Sequence, residues 1–431
     1  MKIQNTDALA TSPLRRIALG IVEAGLAAID TALAIERGVR FEKDVLCIGN
    51  AWCSLAETKR VFVVGIGKCA ADAGAALERV LGDHLTGGVV LSIRKPDVKT
   101  SGKIEYLVGT HPMPSEQNIE ATKRIVSLLK GFTEHDLVIF VVSGGGSTLL
   151  CFPEEGMRCI DEEMILKTLF TRGANIQEIN TIRKHTSLAR GGNLAKYAYP
   201  AQSVALIFSD VPGDNLEFIA SGPTVKDTTT VEDAAAILAK YDVLRTCGIK
   251  DCGLMETPKD DKYFINVRNI LFVSNKTALD VMAEAAREQG FSPKICTARL
   301  EGEARNVAET IMNELHAAPA KTAFLYGGET TVTVRVKGKG GRCLELGLAA
   351  LRFIKEGELL IPFASDGKDN TDVAGPICDI ITIQNAAAGK LDITEHLEGN
   401  QSYRFFTATG DYLMTGDTGS NVSDLIVGIK E

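Results

Sequence analysis

The chain has 431 residues, 45% hydrophobic and 24% charged, with a formal net charge of −8. At roughly 150 residues per domain, that length predicts two or three domains with substantial cores. The acidic balance argues against nucleic acid and membrane as partners, because polyanions select basic surfaces.

No stretch reaches the roughly 18 uninterrupted apolar residues of a spanning helix. Arg15 and Arg16 precede Ile17–Val22, but Glu23 and Asp30 break the run. An amphipathic helix starting after Pro13 is predicted instead, with Ile17, Ile21, Leu26, Ile29 and Leu33 roughly on one face. The ten cysteines contain no C-x-x-C pair. Free buried thiols in a reducing, cytoplasmic setting are expected, with no bridge between Cys247 and Cys252.

Strands are predicted at Val61–Gly65, Gly88–Ile93, Ile104–Thr110, Leu137–Val142 and Val204–Ser209. Helices are predicted at Ala70–Leu81, Ser115–Leu129, Asp161–Arg172 and Glu178–Arg190. That alternation implies βαβ units and a mainly parallel sheet. Thr246–Asp261 is rich in glycine, proline and charge and reads as the linker region. A second α/β unit follows, with strands at Ile270–Ser274, Lys294–Ala298, Ala323–Tyr326, Thr330–Val336 and Leu359–Ala364. Its helices are predicted at Ala278–Gln289, Glu303–His316 and Arg342–Lys355. The expected fold is therefore α/β in two domains. Residues 1–245 form a Rossmann-like parallel sheet with helices on both faces, 246–264 link, and 265–431 form an α/β domain with a mixed sheet.

Several loops after strands carry chemistry. Gly65-Ile66-Gly67-Lys68-Cys69-Ala70 fits both a helix-N-terminal anion site and G-x-G-x-x-A, the dinucleotide fingerprint. The next strand ends at Arg94-Lys95 rather than at an acid, which leaves an NADP reading open. Ser143-Gly144-Gly145-Gly146-Ser147 is an anion-cradle candidate that lacks the Lys-Ser or Lys-Thr closure of a Walker A loop. Asp210 and Asp214 lie four apart on a turn and suit Mg²⁺ or a hydroxyl. Gly327-Gly328-Glu329, the Gly338–Gly341 loop leading to Arg342, and Asp366–Asp372 are the corresponding turns of the second unit. The histidines offer little: His111 precedes Pro112, and His185 on the Arg183-Lys184 helix reads as structural or orienting.

Taken together, VVSGGGSTLL, EINTIRKHTSLARGGNLA, SDVPGDNLEFIASGPTV, GGETTVTV, GGRCLEL and GDYLMTGDTGSNVSDL resemble the glycerate 2-kinase family, whose C-terminal half is called the MOFRL region. The resemblance runs from the first helix to the end of the chain. It implies ATP-dependent phosphorylation of the 2-hydroxyl of D-glycerate or a related hydroxy acid, with Mg²⁺ or another divalent cation, in a cleft between two α/β domains. It places the family's lysine on Lys68 and its arginine on Arg342. Lys68, Arg342 and Asp210 are thus expected to be catalytic. Gly67, Ser143, Gly144, Gly145, Gly146 and Ser147 are expected to bind phosphate. Arg183, Lys184, Asp214 and Glu329 are expected to bind the acid, and Asp210, Asp366 and Asp369 the metal. Three departures bear on the identity of the acid: Cys343-Leu344 for the usual Asn-Gln, a loop shortened around Asn370, and Asp417 for a proline. Phosphoryl transfer asks chiefly for positioning and charge neutralisation, and this inventory suits it. An NADP-dependent hydroxypyruvate reductase and a non-catalytic sugar-phosphate-binding protein are the competing readings. The partners expected are small molecules, and self-association as a homodimer stays open.

Overall fold

The computed structural model describes residues 1–43, 45–49, 51–154 and 157–431. It divides into two compact units: a continuous one, residues 34–272, and a discontinuous one that joins residues 1–33 to 273–431.

The continuous unit is built on six strands: Arg60–Ile66, Leu85–Ser92, Ile104–Val108, Asp136–Ser143, Gln202–Phe208 and Val267–Val273. Numbered along the chain, their order across the sheet is 3-2-1-4-5-6, and the pairings among the first five are parallel. Every residue of the central strand Asp136–Ser143 is buried, as a strand covered on both faces requires. The chain reverses its direction of travel across the sheet between Arg60–Ile66 and Asp136–Ser143. In open α/β sheets, ligands bind outside the carboxyl ends of the strands at such a switch point. The helix Ala70–Leu81 follows the first strand as predicted. Its alanines at 70, 71, 73, 75 and 76 are buried, which lets it lie close on the sheet. A small antiparallel meander of three four-residue strands, Val39–Glu42, Val45–Ile48 and Ala51–Ser54, precedes the sheet.

The discontinuous unit has a mixed sheet in the order Ser292–Leu300, Thr322–Gly328, Asp424–Lys430, Glu358–Ala364. The first two strands are parallel, and Asp424–Lys430 runs antiparallel to both its neighbours. That register sets Asp424 opposite both Gly328 and Ala364.

Five expectations change. The units divide after residues 33 and 272 rather than across 246–264. The expected linker packs into the continuous unit, where the Met255 amide donates to the His185 carbonyl and the Thr257 hydroxyl to Asp227. The strand predicted at Ile270–Ser274 is the sixth strand of the first sheet and not the start of a second unit. Thr330–Val336 alternates like a strand but is not one. The Thr333 amide goes to the Glu303 carboxylate, and the amides of Arg335 and Val336 go to the Asn400 side-chain oxygen. Those side chains satisfy donors that a sheet would otherwise have used. Finally, the helix from Arg342 ends at Ala350.

The helix Pro13–Ala28 is amphipathic as expected, although Leu33 of the expected face falls in the next helix and is exposed, and it belongs with the C-terminal residues. Arg15 is 2% exposed. Its guanidinium makes a two-pronged bond of 2.7 Å per arm to Asp379 and reaches Asp411 at 2.8 Å. Among the described residues, no single helix is long and apolar enough to cross a membrane. All ten cysteines are free. Because Arg15 neutralises two buried carboxylates, Arg15→Ala is expected to destabilise the fold by about 3–5 kcal/mol, read as a lower urea midpoint. A loss below about 1 kcal/mol would show that the pairing is solvated and the helix held by its apolar face alone.

Candidate active site

At the switch point the turns after strands one and four interlock. Gly67 has φ +120°, and a β-carbon there would lie 2.1 Å from Ser143 Oγ, so only glycine fits. The amides of this turn are spent within the protein. Gly67 donates to the Leu91 carbonyl at 3.1 Å, Lys68 to the Gly144 carbonyl at 2.9 Å, and Cys69 to Ser143 Oγ at 3.4 Å. The G-x-G-x-x-A turn therefore packs one loop against another, and its Lys68 side chain is what remains for an anion. Arg94 is likewise engaged, with Asp72 at 2.5 Å and Asp97 at 3.1 Å, so the base expected to suit a 2′-phosphate is already neutralised.

The triple-glycine loop leads into a one-turn helix, Gly146–Leu149, with left-handed Gly145 as N-cap and no capping side chain. Over Gly145 lie the Lys68 stem and the His111 ring, at 3.1 and 3.3 Å from where a β-carbon would sit. The Asp210 carboxylate rests on Gly144, where a β-carbon would come within 1.8 Å of Oδ2. Ser147 bonds Ser221 at 2.8 Å, and Ser221 bonds Asn180 at 3.2 Å. Burial first, and then the charges of Lys68 and Arg183, hold the His111 imidazole below its ordinary pKa. Burial, aided by Arg190, also lowers Arg183. Neither Lys68 nor Arg183 has a carboxylate within ion-pair distance among the described residues, because nearby Glu162 is held by Arg190. Lys68 and the His111 imidazole thus lie over the glycine loop, with Arg183 near enough to act on His111 and no carboxylate within ion-pair distance of either cation among the described residues, an arrangement that suits an anion.

Other expected residues lie elsewhere. Lys184 is 2% exposed and pairs with Asp227 and, at 3.0 Å, with Glu217; it is occupied inside the protein. His185 bonds the Met255 carbonyl at 2.8 Å and Thr229 at 3.2 Å, an orienting role. Asp214 has φ +55° and closes a turn through its amide to Val211.

In the discontinuous unit Arg342 is bound on two sides. It reaches Glu329 at 2.8 Å and Asp424 at 3.0 Å. Burial opposes its charge, but the two carboxylates outweigh burial and raise its pKa. Burial pushes Asp424 up to about 7, against the pull of Arg342. Asp369 accepts the amides of Cys343 at 3.2 Å and Leu344 at 2.7 Å and so caps the Arg342 helix; burial nevertheless pushes it up to about 6. Asp366 accepts the Lys368 amide at 3.0 Å. The expected metal set is therefore divided, with Asp210 in one unit and Asp366 and Asp369 in the other. No group of three histidines, cysteines or acids converges on a metal-sized point among the described residues. Beside Arg342 opens a pocket of about 510 Å³, bounded by the Gly338–Gly341 loop and by Asn400 and Ser402.

Sequence reasoning missed His111 and Asp424. Each had a signal: His111 lies just past a parallel strand's carboxyl end, and Asp424 lies within the GDYLMTGDTGSNVSDL motif.

The Asp424 pKa gives a testable sign. Between the unfolded carboxylate value of about 3.9 and the folded value of about 7, the native state keeps a proton that the unfolded chain has released. Stability therefore falls as pH rises through that window. Asp424→Asn removes this loss, so its melting temperature relative to wild type should climb from about pH 5 to about pH 8. Parallel pH profiles for the two proteins would show an ordinary carboxylate.

A family model described as a domain of unknown function, DUF4147, matches residues 17–248, and the MOFRL family matches residues 322–424. A D-glycerate 2-kinase of Thermotoga maritima is 38% identical over 86% of this chain and 90% of its own length. A glycerate 2-kinase of Pyrococcus horikoshii is 35% identical over 96% of this chain and 97% of its own. A protein of Agrobacterium vitis named putative hydroxypyruvate reductase is 37% identical over 85% of this chain and 86% of its own. Among solved structures, the Thermotoga maritima glycerate kinase superposes with a TM-score of 0.87 at 35% identity, covering 97% of this chain and 99% of that one. On fold, loop motifs and relatives alike, the chain belongs to the glycerate 2-kinase family.

Proposed function

We propose that the protein transfers the γ-phosphoryl group of ATP to the 2-hydroxyl of D-glycerate or a closely related small hydroxy acid, giving the 2-phosphate and ADP. The observation that carries this reading is the pair of cations without counter-ions, Lys68 and Arg183, at the glycine loop of the sheet's switch point. Such a site suits phosphoryl oxygens and a carboxylate together. Phosphoryl transfer needs aligned partners and neutralised charge more than covalent help. In this reading Lys68 and the Ser143–Ser147 loop hold phosphoryl oxygens, and Arg183 takes the acid's carboxylate. Asp210, resting on Gly144, orients the hydroxyl. The hydroxyl oxygen bonds to phosphorus as the bond to the bridging oxygen of ADP breaks, and its proton passes to Asp210 or the neutral His111. Arg342, which Glu329 and Asp424 already neutralise, joins the transfer only once a phosphoryl oxygen displaces one of those carboxylates.

Mg²⁺ asks for one or two carboxylates and several phosphate or water oxygens. Asp210 fits that donor set. Asp369 fits it less well, because both its oxygens accept helix amides. When bound, the ion would neutralise phosphate charge. The ten free thiols accord with a cytoplasmic setting. The reductase reading lacks support, since the fingerprint turn has no spare amides and Arg94 is already paired.

The test is an assay with ATP and D-glycerate, with and without Mg²⁺, run in parallel with NADPH and hydroxypyruvate. ADP release that requires acid, ATP and metal supports the kinase; NADPH consumption alone overturns it. Lys68→Ala and Arg342→Ala should each lower turnover about 100-fold to 1,000-fold; the melting temperature should hardly change in Lys68→Ala and should fall in Arg342→Ala, which leaves the buried Asp424 without its cation. Arg342→Lys should recover only part, because an ammonium cannot reproduce the guanidinium fork. Turnover within a few-fold of wild type in both alanine variants would remove these residues from the mechanism.

A further inference from the structure

We propose that the pocket beside Arg342 binds the nucleoside end of the phosphate donor, with Asn400 and Ser402 as its hydrogen-bonding groups; this rests on the kinase reading above. The first observation is two orphaned buried groups. Asn400 is 7% exposed and Ser402 is 1% exposed. Asn400 Nδ2 and Ser402 Oγ both lack any partner among the described residues, and both residues line this one pocket. The Asn400 amide cannot simply be turned round. Its Oδ1 accepts the amides of Arg335 at 2.9 Å and Val336 at 3.3 Å, so a flip would set donor against donor. Buried donors without acceptors are costly and rare. Two of them on one cavity of about 510 Å³ mark where a ligand supplies the missing acceptors.

The walls say what kind of ligand. Val332 and Val334 give apolar surface, and Val334 is 70% exposed. Gly338 and Gly340 leave bare backbone: β-carbons there would lie 2.0 Å from the Asn400 carbonyl and 2.1 Å from Ser402 Oγ. The two cations at the rim are already neutralised, Lys368 by Asp417 and Arg342 by Glu329 and Asp424. A small free acid would seek unpaired cations, which belong to the other unit. It would also leave most of this volume empty. A flat, neutral, acceptor-bearing body of base and sugar matches apolar walls, two neutral donors and a volume in the usual range for small-molecule sites.

The experiment uses the full chain and titration calorimetry with adenosine, ADP and D-glycerate, together with KM values for ATP and D-glycerate. The variants are Ser402→Ala, Asn400→Asp and Val334→Trp. Asn400→Asp keeps the acceptor for Arg335 and Val336 while removing the donor. Ser402→Ala breaks no internal bond, so its melting temperature should equal or exceed wild type. Each variant should weaken adenosine and ADP by about 3- to 10-fold and raise KM for ATP to match, with KM for D-glycerate unchanged. The proposal is overturned if wild type binds neither adenosine nor ADP. It is overturned equally if nucleoside affinity stays within about two-fold in all three variants, or if the glycerate KM moves instead. Weakened adenosine binding in a chain that phosphorylates no hydroxy acid would sink the kinase reading and leave this one standing.

Discussion

The parallel register between Arg60–Ile66 and Asp136–Ser143 governs the candidate site. It brings the two following turns so close that no side chain fits at Gly67, and it turns the backbone donors of one loop toward the other. In a dinucleotide-binding sheet those amides receive a pyrophosphate. Here they are already satisfied, so anion affinity has to come from side chains that reach over the glycine loop. Lys68 and His111 are the side chains that lie over it. The same strand order that serves one cofactor class elsewhere here carries an interlocked pair of turns whose own amides are spent.

The two units handle buried charge in opposite ways. Around Gly145, Lys68 and Arg183 have no carboxylate within ion-pair distance among the described residues, and burial together with these two charges lowers the pKa of His111. Around Arg342, two carboxylates crowd one guanidinium in a desolvated setting, and Asp424 responds by holding its proton to about neutral pH. Desolvation of the acid there outweighs its attraction to the cation. The first arrangement is open to a ligand; the second is largely satisfied by its own residues.

What the sequence revealed follows from how local each signal is. The helix Ala70–Leu81 and the central strand were legible because their periodicity and apolar runs are self-contained. Lys68, Asp210 and Ser143–Ser147 were legible because they stand just past strands. Thr330–Val336 misled because its alternation is real, while its hydrogen-bond partners, Glu303 and Asn400, come from elsewhere in the chain. Lys184 looked available until Asp227, a residue in another loop, proved to hold it. His111 and Asp424 acquire meaning only through neighbours brought to them by the sheets. The compact units divide where no local signal stands, for the same reason: nothing near Arg15 announces Asp379, which is 364 residues away.

That distance has a consequence for how the protein is made. Residues 34–272 are continuous and can fold while the ribosome is still translating, since domains generally form as units from the N-terminus. The helix Pro13–Ala28 emerges earlier, yet its partners Asp379 and Asp411 come last. At typical synthesis rates of about 5–20 residues per second, it waits roughly 20–70 s for them. The apolar stripe of Leu14, Ala18, Ile21, Val22 and Leu26, buried in the finished protein, is exposed on the nascent chain until Asn275–Glu288 emerges to pack on it, and the Arg15 charge stays uncompensated for the whole interval. A transcript broken before the codon for residue 379 would still supply Asn275–Glu288 to cover that stripe, but would leave the Arg15 guanidinium without either of its carboxylates for good, marking its product for chaperones and proteases.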